Sequence, residues 1–290
     1  MELDNIEYQI KQKFQNLNLI EKIIIINLIC FLIPYIFYTF LYLFGYPNIS
    51  FISWFELSSD LFQIIYKPWT IISYSFFHSG FFHLFWNMLL LLYSGQIFLN
   101  LFPDKMLISI YFMGVIFGGI VFIISYNFFP IFSNSSPSMI GSSAGVMAIL
   151  IFMCRYSPNY QIRIFFFNIK LVYIGFFFVI SDFIQIPYGN AGGHLAHLGG
   201  SALGYFYAQR IKKGNNIGES FSLLIDLIQG IFNKRKQKRV FKSNDYIKSK
   251  KNRIELEQDK IDAILDKISS SGYDSLSQAE KDFLFKSGKN

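Results

Sequence analysis

From Ile23 to Phe44 the chain runs without Asp, Glu, Lys or Arg, and more apolar stretches follow it. A run of roughly 20 apolar residues matches the thickness of bilayer hydrocarbon, where a helix satisfies its own backbone polar groups. The composition agrees: 16% of residues are charged and 52% hydrophobic, against about 25% charged in ordinary soluble domains. Cys30 and Cys154 lie inside apolar segments and read as small hydrophobes.

Six segments emerge: Ile23–Phe44, Phe81–Phe102, Lys105–Tyr126, Ser142–Cys154, Asn168–Phe183 and Ala191–Gln209. The fourth is too short to span alone. The sixth is unusual in holding His194, His197 and five glycines. The expectation is an all-α integral membrane protein, a six-helix bundle with a small helical tail.

Charge divides the chain. Residues 210–290 hold 18 of the 26 Lys and Arg, and the first 209 are balanced at 8 basic and 8 acidic groups. Six spans put both termini on one side, and seven of those eight basic residues fall there, leaving Lys67 opposite. The positive-inside bias then makes both ends cytoplasmic in a cell inner membrane, with the basic tail against anionic lipid rather than nucleic acid. The starts of the second, fourth and sixth segments share the outer face. No cleavable signal pattern opens the chain.

The connection Gly45–Gly80 is aromatic but carries Glu56, Asp60 and Lys67, which suits an insertion at the membrane interface. In the tail, Phe221–Phe232 reads as a surface helix beside the basic run Lys234–Arg239. Glu255–Ser269 reads as a further helix, and Ser277 with Glu280 as a capping box for a last one.

Polar groups in hydrocarbon need a reason. His83 and Asn87 lie four apart on one helix face; His194 and His197 lie three apart. Hydrogen bonds between helices would explain the first pair, and the second reads as a metal pair or a proton relay. A metal set from His78, His83, His194 and His197 is weak: there is no HExxH, and no carboxylate adjoins them unless Asp182 or Glu56 folds in. Ser143 opens a helix after the small cluster Gly141–Gly145, and close packing is the bland use of such residues. As a nucleophile it needs a base and donors for an oxyanion. An imidazole of the sixth segment suits the first need; Asn87, His83 and the Ser143 backbone N–H suit the second. Gly193, His197 and Ser201 share a face, and Gly200 with Gly204 forms a stripe permitting close approach of helices. No Asp is evidently placed for a triad, so a Ser–His pair is the natural arrangement. Local rules leave both His194 and His197 open as its base.

Three motifs in order resemble the rhomboid family of intramembrane serine proteases: FFHSGFFHLFWN (residues 76–87), IGSSAGVMAI (140–149) and NAGGHLAHLGG (190–200). The resemblance covers about residues 20–210. It implies Ser143 as nucleophile, His197 as base, and His83 and Asn87 as oxyanion stabilisers. It further implies an interfacial loop around Trp69, no cofactor or metal, and single-pass transmembrane proteins as substrates. Gly141, Ala144, Gly145, Gly193, Gly200 and Gly204 fall at motif or packing positions. Ala144 departs from the pattern, which has glycine after the serine. The tail resembles cytoplasmic extensions on rhomboids of the Bacteroidetes lineage. The expected plan is an N-terminal segment (1–19), a protease domain (20–210), a basic juxtamembrane region and linker (211–254), and a helical extension (255–290). The alternatives are an inactive relative that binds membrane clients and a polytopic transporter. The latter would need a through-going polar path, whereas the polar groups gather toward one face.

Overall fold

Asn18 starts the first long helix. Its Oδ1 accepts from the Glu21 N–H at 2.9 Å while the Asn18 N–H donates to the Glu21 carboxylate at 2.8 Å, a reciprocal cap. The helix therefore begins at Leu19, four residues before the apolar run, because capping rather than hydropathy sets its start. The computed structural model describes residues 8–9, 12–14, 16–46, 50–164, 166–233, 260–272 and 275–287. Among these, the fold is carried by α1 (Leu19–Leu43), α2 (Phe81–Leu99), α3 (Asp104–Phe128), α4 (Ser143–Tyr156), α5 (Leu171–Gln185) and α6 (Ala191–Lys212).

α1, α2, α3 and the segment Leu171–Tyr188 that includes α5 are long and apolar enough to cross a membrane. The chain is thus a mostly helical, multi-pass membrane protein. The other two helices differ for separate reasons. α4 has 14 residues, about 21 Å at 1.5 Å per residue, and every residue from Ala144 to Cys154 is buried. A helix covered on all sides needs no polar face. α6 is long enough, but its glycines dilute its hydropathy.

Those glycines bring backbones together. A methyl on Gly200 would strike the Ala144 carbonyl oxygen, and one on Gly204 the Ala148 carbonyl oxygen, so α6 lies directly on α4. A methyl on Gly118 of α3 would stand 2.7 Å from the Ala196 carbonyl oxygen of α6 and 2.6 Å from the Ala144 Cβ of α4. Lipid tails are as apolar as the helices, so such close packing, not escape from water, holds membrane helices together. α1 is peripheral, joined to α2 where Ile20 fills the space beside Gly95.

The connection between α1 and α2 is folded. It contains the short helices Leu61–Tyr66 and Thr70–Ser73, and β1 (Leu57–Ser58), which pairs antiparallel with β2 (Ser138–Met139) just before α4. Trp69 Nε1 donates to the Trp54 carbonyl at 2.8 Å, and Lys67 Nζ to the Ser53 carbonyl at 3.0 Å. A hairpin, β3 (Gln161–Ile164) with β4 (Phe167–Lys170), precedes α5. It delays the fifth helix to Leu171, three residues beyond its expected start.

The chain divides into two compact units, Met1–Leu223 and Leu224–Asn290. A helix, α7 (Glu219–Asn233), follows α6 over the expected Phe221–Phe232. In the second unit residues 260–271 form α8 and Gln278–Ser287 form α9. The Ser277–Glu280 cap closes as expected: the Ser277 N–H donates to Glu280 Oε2 at 2.7 Å, and Lys267 Nζ reaches Glu280 at 3.0 Å. The basic run Lys234–Arg239 lies outside the described residues, as do residues 255–259 of the helix expected there.

Candidate active site

Gly141 turns the chain into α4 at φ 137°, a region that L side chains rarely adopt. Its N–H donates to the Tyr74 carbonyl at 2.9 Å, and the β1–β2 pair holds the residues just before it. A methyl on Gly141 would lie 2.9 Å from His83 Nε2 and 3.5 Å from Ser143 Oγ. The missing side chain therefore leaves the serine and His83 on either side of a small gap.

The two adjacent serines have different surroundings. Ser142 is fully buried, its Oγ 3.1 Å from His78 Nε2. His78, in the connection before α2, is itself buried, and burial followed by the nearby His83 pushes its pKa down to about 3. It is a neutral pillar beneath the start of α4, a role that sequence reading did not assign. Ser143 instead lines a cavity of about 380 Å³ together with His83, Asn87, Asp182 and His197, walled by apolar groups such as Trp86 and Phe177.

α2 supplies His83 and Asn87 at its N-terminal end. Ser79 Oγ lies 3.0 Å from His83 Nδ1, which leaves Nε2 facing Gly141. Asn87 Nδ2 donates to the His83 carbonyl at 2.8 Å; an amide has two N–H groups, so one remains for the cavity. α6 supplies His197, whereas His194, one turn earlier, does not line the cavity. No hydrogen bond joins Ser143 to His197 among the described residues. Such contacts are often long before substrate binds.

One expectation is corrected here. Asp182 of α5 stands beside the histidine pair: its Oδ1 lies 2.8 Å from Nδ1 of His194 and 2.8 Å from Nδ1 of His197. The reason is the short turn between α5 and α6, which brings residue 182 against the first turns of α6. These three residues have the composition of a cation site, with ligand atoms within 4.8 Å of one another. Both nitrogens, however, meet the same oxygen at the length of an N–H···O⁻ bond, whereas a cation needs their lone pairs turned toward itself.

Ala144 does not face the cavity. Its methyl is buried against Gly118 of α3, where glycine supplies the room. Gly145 likewise makes way for Tyr111, whose ring would stand 2.8 Å from an added methyl. Gly193 abuts the Asn190 side chain at the left-handed turn into α6, and Gly200 and Gly204 serve the α4–α6 contact.

A helical membrane protein thus encloses a cavity where a hydroxyl, two imidazoles, an amide and a carboxylate meet. A family model described as the rhomboid domain matches residues 66–213, just over half of the chain, and the chain belongs to that family. A second model, DUF6576, a family of unknown function, matches residues 247–287. No curated protein matches the chain.

Proposed function

We propose that the protein is an intramembrane serine endopeptidase acting on transmembrane helices near the outer membrane face. The observation that carries this is the shared cavity of Ser143, His197, His83 and Asn87 within a rhomboid-domain chain. Its six helices all span or line the bundle, both termini lie in the cytoplasm of a cell inner membrane, and residues 255–290 form a cytoplasmic extension of the kind seen on Bacteroidetes rhomboids. A single-pass substrate enters from the bilayer and unwinds over the cavity.

His197 Nε2 takes the proton of Ser143 Oγ as the oxygen bonds to the scissile carbonyl carbon. The carbonyl oxygen becomes an oxyanion, stabilised by the Ser143 backbone N–H, Asn87 and His83. The Nε2 proton passes to the leaving amine as the C–N bond breaks, and water then releases the acyl group from Ser143 by the same route. The free N–H groups at the start of α4 add a favourable dipole.

The test is covalent labelling by a fluorophosphonate in proteoliposomes, together with cleavage of a model transmembrane helix. Wild-type chain is expected to label at Ser143, and Ser143→Ala to lose both labelling and cleavage. Cleavage by Ser143→Ala overturns the proposal; a chain that binds the helix but neither labels nor cuts is a client-binding relative.

A further inference from the structure

Asp182 is the single charged residue of α5 and is buried. A buried carboxylate in an apolar helix is costly unless it is paired, and an ionisable residue in such a segment is by default a functional hypothesis. Its Oδ1 meets Nδ1 of both His194 and His197 at 2.8 Å, while Oδ2 has no partner among the described residues. An ionised carboxylate only accepts hydrogen bonds, so opposite an ionised Asp182 each imidazole would carry a hydrogen on Nδ1. That tautomer of His197 would leave a lone pair on Nε2, in a ring that lines the cavity with Ser143.

We infer that Asp182 is a positioning residue, which holds His197 in the Nδ1–H tautomer and stabilises the imidazolium formed when Ser143 gives up its proton. His194 braces the same oxygen from the preceding turn of α6 and fixes the carboxylate between two donors. The inference rests on the Ser143–His197 reading and adds a third member to it. Asp182 acts through the ring and touches no reacting atom. Removing the partner that fixes a catalytic imidazole lowers turnover by on the order of 10² or more in comparable arrangements.

Fluorophosphonate labelling of the full-length chain in proteoliposomes reads this without a known substrate. Asp182→Asn and Asp182→Ala are expected to slow the maximal labelling rate about 10²-fold, with the half-saturating probe concentration changed less than about threefold. Asp182→Glu should recover part of the rate. A merely structural role would instead lower folded yield and weaken probe binding. Where the variants fail to fold, ¹⁵N shifts of histidine-labelled wild-type protein report the tautomer directly, with His197→Gln assigning the resonance. Labelling of Asp182→Asn at the wild-type rate, or an Nε2–H tautomer for His197, overturns the inference and leaves the serine reading standing. Labelling that persists in Ser143→Ala overturns that reading and takes the inference with it. A wild-type rate abolished by EDTA and restored by zinc makes the cluster a metal site and also overturns the inference.

Discussion

α4 and α1 are both apolar helices, yet they solve opposite problems. From Ala144 to Cys154 every α4 side chain is buried, whereas only 17% of the α1 spanning window is. α1 offers Ile36, Phe40 and Leu43 to its surroundings and works by hydropathy. α4 is sheathed by α3 and α6 through Gly114, Gly118, Gly200 and Gly204 and works by shape. The bilayer can replace a side chain of α1 with a lipid tail, but nothing replaces a lost fit around α4. The proposed nucleophile, Ser143, accordingly opens the helix whose position is set by close contact with its neighbours.

The sharpest break of this contrast is Gly200→Val set against Ile36→Ala. The valine must displace the Ala144 backbone, an overpacking loss of about 3 kcal/mol or more. The alanine, at a 66% exposed site, should change stability by no more than about 0.5 kcal/mol. Thermal unfolding in detergent would compare them, and equal losses would end the distinction. Next in size is Gly141→Ala. Positive φ costs an L residue about 1–3 kcal/mol, and the methyl enters the gap between His83 and Ser143. Fluorophosphonate labelling should fall at least tenfold while most of the protein stays folded; an unchanged rate would show that the gap is dispensable.

The smallest effect concerns His78, which supports the α4 start from the connection before α2. Its folded pKa is depressed to about 3, below an unfolded value of about 6.5. The unfolded chain therefore binds the extra proton, so stability is full above pH 6.5 and declines as pH falls toward 3. Between pH 7 and 5 this amounts to up to about 2 kcal/mol, read as a falling thermal midpoint. His78→Gln should flatten that slope, and an unaltered slope would assign it elsewhere.

The helices were legible because their signals are local: apolar runs and glycines at helical spacing. The candidates Ser143, His83 and Asn87 could be picked out as polar groups in apolar segments, but the preference for His197 over His194 came only from the resemblance of three motifs taken together. What escaped depends on packing between distant segments. β1 and β2 have two residues each, too few to alternate, and find each other across 80 positions of chain. Asp182 is hidden within an apolar run, and only the turn between α5 and α6 makes it the partner of His194 and His197. Ala144 posed a question that no local rule answers, since the destination of its methyl depends on which face of α4 meets Gly118. His78 and His83 stand five residues apart, yet one supports the fold and the other borders the cavity.

The cavity draws on residues 83, 87, 143, 182 and 197, which leave the ribosome in that order over more than a hundred residues. A growing chain that has already inserted its hydroxyl still lacks His197 until α6 follows, and unfinished products carry an incomplete set. The five groups therefore come together only once the last of these helices has been made.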